Sequence, residues 1–173
     1  KVWMGCTIHS GDREFGVPDE YPLEAAGCRI DEHGKKYIRV KGVRWYTNID
    51  HGRRHNPLSL MSMADNIKYS KHKDIQGKKY QHYDNYDAIE IPYTDAIPCD
   101  YENLMGVPVT FLDKYCPEQF DIIWQACGNT RASAPKEILD EVGYTIHPED
   151  RGGCGVVNNK RQYARILIRK KHL

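Results

Sequence analysis

The stretches Asp84-Asn-Tyr-Asp-Ala-Ile-Glu90 and Met105-Gly-Val-Pro-Val-Thr-Phe-Leu-Asp-Lys-Tyr115 decide how the chain reads. Each holds a short apolar run bounded by turn-forming residues, which predicts strands over Tyr86 to Ile91 and Val107 to Leu112. Gly106 introduces the second and Pro108 interrupts it. Proline donates no ladder hydrogen bond, so this strand is expected at an edge or at its own start. Downstream, Phe120, Ile123, Trp124 and Cys127 match helical spacing, while Phe120 to Trp124 also suits a buried strand. Pro135 to Val142 reads as a helix, with Ser133 or Ala134 at the cap, Pro135 in the first turn and Gly143 as the stop. Tyr163 to Arg169 alternates apolar Ala164, Ile166 and Ile168 with Tyr163, Arg165, Leu167 and Arg169, which predicts a half-buried strand.

Upstream the signals are weaker. Val2 to Ile8 is a strand candidate that Ser10-Gly11-Asp12 should end. Gly16 to Gly27, with Pro18 and Pro22, reads as a loop. Asp31-Glu-His-Gly34 reads as a turn before Lys36 to Tyr46, where Ile38 and Val40 alternate with Tyr37, Arg39 and Lys41, so a hairpin arm is expected. Asp50 to Gln81 is polar, lacks a strong period and is expected to be a mobile or variable insertion.

The chain has 173 residues, is 40% hydrophobic and carries three Trp and 12 Tyr, enough for one compact unit with a core. No run of about 18 apolar residues occurs, and the N-terminus lacks the zones of a signal peptide, so a soluble cytoplasmic protein is expected. The six cysteines form no C-x-x-C pair, which predicts reduced structural thiols and no metal site. The net charge of +1 hides a strong segregation. Lys35 to Arg54 holds seven Lys or Arg and one acid, and Arg151 to Leu173 holds seven more and no acid, whereas Tyr80 to Asp113 holds seven acids and no Lys or Arg. Such polarity gives one basic face, suited to phosphates or merely to solubility.

Taken together, Thr7-Ile-His-Ser-Gly-Asp-Arg13, Arg44-Trp-Tyr-Thr-Asn48, the two opening stretches, Pro117-Glu-Gln-Phe120, Gly128-Asn-Thr-Arg131, Pro135-Lys-Glu-Ile-Leu139 and Tyr163-Ala-Arg-Ile-Leu-Ile-Arg169 resemble, in register, the C-terminal half of the EcoRI-type adenine-specific DNA methyltransferases. The resemblance favours a strand at Phe120 to Trp124 and runs across essentially all of residues 1–173. One departure is Cys116, where the family pattern suggests Asn. The resemblance implies an α/β fold: the C-terminal part of a Rossmann-like methyltransferase sheet with an inserted target-recognition region, here the arm and loop at 35–81. The implied reaction is methyl transfer from S-adenosylmethionine to N6 of adenine in duplex DNA.

Family members bind that cofactor mainly through an N-terminal half, which also carries an Asn-Pro-Pro-aromatic turn. Neither feature is spelled out here. The chain begins at Lys1 as if in mid-strand, so it reads as the DNA-reading half of an enzyme, inactive alone, whose partners are duplex DNA and the N-terminal half. An inactive stand-alone DNA-binding or phage accessory module is the alternative.

Three patterns are decoys. Gly152-Gly-Cys-Gly155 does not leave an apolar strand to enter a helix, as glycine-rich ligand loops do, and reads as a plain turn. His51 and His55 lack the Glu that follows the first His in metalloproteases. Asn56-Pro-Leu-Ser59 has Leu58 and Ser59 where a catalytic turn needs Pro and an aromatic, and it lies in a polar loop.

The remaining chemistry is recognition. Arg, Asn and Gln read base edges, and Lys and Arg bind phosphates without regard to sequence. The expected DNA-binding residues are Arg39, Lys41, Arg44, Trp45, Asn48, Arg53 and Arg54. Arg44 and Asn48 are assigned to base edges and Trp45 to anchoring the arm. Arg13 and Arg29 fit a salt bridge to Asp12, Asp19 or Glu24 equally well.

Overall fold

A computed structural model describes residues 7–22, 27–46, 50 and 52–171; of 7–11 and 43–46 it describes the backbone alone. Where length predicts one compact unit, the chain divides into two, Lys1–Asp50 and His51–Leu173. The boundary falls inside the segment 35–81.

The first unit is an antiparallel sheet of β1 (Thr7–Val17), β2 (Cys28–Ile30) and β3 (Lys36–Tyr46), in the order β1-β3-β2. Asp31 builds the turn between β2 and β3, because its Oδ1 accepts the backbone N–H groups of His33 and Lys35, each at 2.9 Å. These bonds, Lys35 first, hold the Asp31 carboxyl below its usual range. Register pairs Phe15 with Ile38 and Ile38 with Cys28, so those residues share one face, while Glu14 and Arg39 share the other. The expected alternation in β3 is therefore present.

Ser10-Gly11-Asp12 does not end β1. The strand crosses it with register irregularities at His9/Gly11 and Gly11/Arg13, since a glycine inside a strand permits a bulge as readily as a stop. Asp12 secures the region: its carboxylate meets Arg39 at 2.9 Å and accepts the N–H of Gly42 at 3.3 Å. Residues 2–6 and 23–26, parts of the expected first strand and loop, lie outside the described residues.

The second unit is built on a mixed sheet, so the molecule belongs to the mixed α/β class. Its strands are β4 (Ala88–Glu90), β5 (Leu104–Pro108), β6 (Phe120–Ala126) and, after a two-residue-stranded hairpin of β7 (Val156–Val157) and β8 (Lys160–Arg161), β9 (Arg165–Lys170). The order is β4-β5-β9-β6, with β4 and β5 parallel and β9 antiparallel to both of its neighbours. Asn158 and Asn159, both at positive φ, close the β7–β8 hairpin, as such a tight primed turn requires.

Two apolar layers cover the sheet. Ile89, Met105, Val107, Ile166 and Ile168 pack with Phe111 and Phe120 on one side. Ala88, Leu104, Leu167 and Ala126 pack with Tyr83, Tyr86 and Val142 on the other. The expected half-buried closing strand is thus wrong: Ile166, Leu167 and Ile168 are 4%, 0% and 0% exposed, because β9 is central and both its faces are covered. A bulge between Ile122 and Trp124 in β6 puts Ile122 opposite Ile168 and Trp124 opposite Leu167, one for each layer.

The second expected strand also shifts. β5 runs over Leu104–Pro108, and Val109–Lys114 then tightens into a 3-10 helix that carries Phe111 into the core. The insertion 50–81 is not wholly irregular either. Helix α1 (Met63–Tyr69) forms behind Ser62, whose hydroxyl accepts the N–H of Asp65 at 3.0 Å and donates to the Asp65 carboxylate at 2.7 Å. Helix α2 (Lys136–Glu141) follows Pro135 and ends before Gly143, which sits at φ 59° against Asp87.

Beneath the sheet, Arg165 of β9 grips Glu90 of β4: Nε and Nη2 donate to Glu90 Oε1 at 2.9 and 2.6 Å. The Tyr83 hydroxyl donates to the other carboxylate oxygen. The Tyr83 ring lies where side chains at Gly106 and Gly155 would stand, so both positions must be glycine. Burial, then the adjacent Glu90 charge, hold the Tyr83 phenol well above its usual range.

Glu90→Leu should destabilise the unit by about 3 to 5 kcal/mol, since it strands a buried guanidinium, and pairing it with Arg165→Met should recover part of the loss. Gly155→Ala should cost about 1 to 3 kcal/mol through overpacking against Tyr83. Urea unfolding followed by tryptophan fluorescence measures both.

Candidate functional site

The expected DNA-binding residues fall in both units. Arg39 and Lys41 project from β3, where Arg39 pairs with Asp12 at 2.9 Å while Lys41 is exposed and meets no carboxylate among the described residues. Arg29, on the same face as Glu14 and Arg39, binds Glu14 at 2.6 Å and holds its carboxyl below the usual range. That pairing gives Arg29 a structural role with a partner the sequence reading did not name. Arg44 and Trp45 pair through their backbones with His9 and Ile8, but their side chains are not among those described, and Asn48 lies outside the described residues. Arg53 and Arg54 stand in the second unit, on a 3-10 turn over Gly52–His55. Arg53 is exposed, and Arg54 is half-buried near Tyr115.

Five of the seven cations in the second basic stretch are bound internally, while Arg151 and Lys160 are exposed. Arg161 donates to the Glu149 carbonyl at 2.8 Å, Arg165 meets Glu90 at 2.6 Å and Arg169 meets Glu141 at 3.1 Å. Lys170 donates to the Cys99 carbonyl at 2.5 Å and Lys171 pairs with Asp121 at 3.1 Å. These charges hold the sheet to its surroundings instead of facing a ligand.

A cleft the sequence reading missed lies at the carboxyl ends of the parallel strands β4 and β5. After β4 the chain turns through Pro92 and Tyr93 into a 3-10 helix, Thr94–Ala96, and after β5 it enters the 3-10 helix Val109–Lys114. Ligands of open α/β sheets collect at this end of the strands. Two adjoining cavities of about 350 and 330 Å³ share Thr94, Asp95, Asp113 and Lys114 as walls. Arg53, Asn56, Pro57, Leu58 and Ser59 complete the first. Asn56-Pro-Leu-Ser59 is a loop, as expected, with Asn56, Pro57 and Ser59 exposed and Leu58 partly buried. The Gln119 side chain accepts the Leu58 N–H at 2.8 Å and donates to its carbonyl at 2.9 Å, pinning the segment against the core.

Charges in the cleft are unevenly compensated. Asp95 is bound by Lys71 at 2.8 Å and His72 at 2.9 Å, and these two hold its carboxyl below the usual range, Lys71 first. His72 stacks on Tyr93 at 3.7 Å, and the Tyr93 hydroxyl donates to Asp74 at 3.0 Å. In contrast, Thr94 Oγ1 and Asp113 Oδ1 are buried without a hydrogen-bond partner. Such atoms cost stability until a ligand or water satisfies them. The acidic run from Tyr80 to Asp113 is the visible signal in the sequence, and the expected strand over Val107 to Leu112 hides it, because Val109–Lys114 is a 3-10 helix that carries Asp113 and Lys114 to the cleft.

The other singled-out motifs are structural. In Gly152-Gly-Cys-Gly155, the Gly153 N–H is bound by Asp150 and its carbonyl by Tyr86 at 2.6 Å, while Asn85 takes the Cys154 carbonyl at 2.8 Å and the Val156 N–H at 2.9 Å. These bonds tie the loop to its own chain. His55 meets Glu118 at 2.6 Å, and His51 lies outside the described residues. Cys116 is buried, its thiol pushed up by burial and by its hydrogen bond to Glu118. Among the described residues no three His, Cys, Asp or Glu side chains are placed to hold a metal ion, and no helix is long and apolar enough to cross a membrane.

Comparison with known proteins gives this frame its family. The model of the family described as "Adenine-specific methyltransferase EcoRI" matches residues 1–171, and the chain belongs to that family. The Type II methyltransferase M.EcoRI of Escherichia coli is 36% identical over 173 residues, covering all of this chain and 44% of its own length. M.MgeORF184P of Mycoplasma genitalium is 31% identical over 177 residues, and M.MpnI of Mycoplasma pneumoniae 26% over 174, with 50% of each covered. The chain thus spans about half the length of these relatives. No solved structure matches it.

Because ion pairing lowers the Asp95 carboxyl, its contribution to stability should be present above about pH 4 and disappear as pH falls through the lowered value. Asp95→Asn should therefore melt below the parent at pH 7 and converge with it in acid, as differential scanning fluorimetry across pH would show.

Proposed function

We propose that the chain is the C-terminal, DNA-reading portion of a DNA adenine-N6 methyltransferase. The family relation across residues 1–171, shared with Type II methyltransferases of about twice the length, carries this reading. The four-stranded sheet is then the late part of a Rossmann-like core, and the parallel pairing of β4 with β5 supports it. The region 35–81 serves target recognition as an insertion into that core. S-adenosylmethionine is held mainly by an N-terminal portion, which supplies the methyl group and the turn that grips the flipped adenine; this accords with a glycine loop here that is tied to its own chain.

Within this scheme each cation has a separable task. Lys41, Arg53 and Arg54 neutralise phosphates, and Arg39 joins them at the cost of loosening Asp12. Arg44 and Asn48 reach base edges, with Trp45 anchoring β3. Phosphate contacts set register on the duplex and base contacts choose the sequence.

Incubated with labelled S-adenosylmethionine and duplex DNA, the chain alone should transfer no methyl group; transfer to adenine N6 would overturn the division of labour. Its DNA affinity should fall with log salt at a slope of about 0.9 per phosphate contact, and Arg53→Glu with Arg54→Glu should flatten that slope. Joined to an N-terminal portion, Arg44→Ala should lose about 1 to 3 kcal/mol of discrimination at one base pair. Lys41→Ala should instead weaken all sequences alike. An unchanged preference profile in Arg44→Ala, measured on single-mismatch sites, would remove the arm from recognition.

A further inference from the structure

We infer that the cleft at the carboxyl ends of β4 and β5 is a binding site for one nucleoside phosphate, with Arg53 and Lys114 taking the phosphate and Asp113 and Thr94 taking donors of the sugar or base. Four features of the cleft define the ligand. Asp113 Oδ1 and Thr94 Oγ1 are buried with no partner, so the ligand must bring a polar hydrogen to the carboxylate oxygen, while the hydroxyl can accept from it or donate to it. Asp113 carries negative charge, so a bare anion is disfavoured beside it. Arg53 and Lys114 are exposed and form no ion pair among the described residues, whereas Asp95 is already compensated by Lys71 and His72. The ligand is therefore bipolar, anionic at one end and rich in N–H or O–H groups at the other.

The remaining walls fit the part between those ends. Pro57 and Leu58 offer apolar surface, and Leu58 is fixed through both of its backbone groups by Gln119. A volume of about 350 Å³ lies at the small end of ligand pockets and accommodates a mononucleotide but no duplex. A carboxylate accepts readily from the amino group of a base. The cleft's position beyond the ends of two parallel strands is the place where such sheets collect nucleotides.

The same chemistry is offered by a free nucleotide and by one nucleotide displaced from a DNA strand. In the second case the inference rests on the DNA-reading function proposed above and adds Thr94, Asp113 and Lys114 to its binding residues.

The four deoxynucleoside monophosphates, inorganic phosphate and the four deoxynucleosides, titrated into the whole chain and followed by amide NMR shifts, test it. A monophosphate should bind at least about tenfold more tightly than either of its halves, since each half forfeits charge-assisted hydrogen bonds. Lys114→Gln and Arg53→Gln should weaken the nucleotide by several-fold and leave the nucleoside unaffected. Asp113→Asn, checked for folding by its NMR spectrum, should change the order of preference among the four bases. Phosphate binding as tightly as the nucleotides, no shift at Thr94, Asp113 or Lys114, or indifference to Asp113→Asn would each overturn the inference.

A single-stranded oligonucleotide that displaces the monophosphate assigns the DNA strand as the source. Failure to displace it assigns the free nucleotide. Loss of methyl transfer in the joined enzyme would bear on the proposed function alone, because the titration needs neither duplex nor methyl donor.

Discussion

Arg165 and Glu90 meet inside the second unit, 12% and 9% exposed, and bind across the width of β5. Burying two charges costs several kcal/mol per ion unless the geometry is close and the spare lone pairs are used. Both conditions are met here. Two guanidinium nitrogens converge on one carboxylate oxygen, and Tyr83 occupies the other. Tyr83 reaches that oxygen only because Gly106 on β5 and Gly155 before β7 leave space for its ring. One ion pair therefore dictates two glycines, the placement of a tyrosine and the order in which β4, β5 and β9 lie.

The cleft lies beyond the same strands. β4 ends at Glu90 and β5 at Pro108, and the two turns that follow carry Thr94, Asp95, Asp113 and Lys114 to one end of the sheet. The far wall is set separately, by Gln119 clamping Leu58. Rigid supports on both sides hold unsatisfied Thr94 and Asp113 in place, at a cost in stability that a ligand would offset.

Much of the second unit was legible. The apolar run within Tyr86 to Ile91 and the proline and glycine that bracket α2 mark local structure that neighbours reinforce, whereas Phe120 to Trp124 suited helix or strand by spacing and only the resemblance favoured the strand that forms. What failed were the places where a partner distant in sequence decides. Arg165 looks like part of the wet side of a half-buried strand, yet Glu90, far back in the chain, takes it inside, while Arg169 stays near the surface on Glu141. Gly11 looks like a strand terminator because punctuation signals do not distinguish a stop from a bulge. Helix α1 is seven residues long, too short to show a period, though the Ser62-Met-Ala-Asp65 cap was readable. The resemblance located the family and the late strands, but the cleft went unseen because it is built from three segments that no motif connects.

The same distinction applies to charge. Two basic stretches hold seven Lys or Arg each, yet in the one nearer the C-terminus five of the seven are bound by carboxylates and carbonyls of their own unit. Counting cations would assign both stretches to a phosphate backbone. Following their partners leaves Lys35, Lys41 and Arg53 of the first stretch and Arg151 and Lys160 of the second among the exposed cations for which no ion pair forms with a described residue. A chain near electrical neutrality can attract a polyanion only through such uncompensated charges, because a paired cation must give up its carboxylate before it gains a phosphate. Affinity for DNA should therefore follow those few side chains and not the net charge of either stretch.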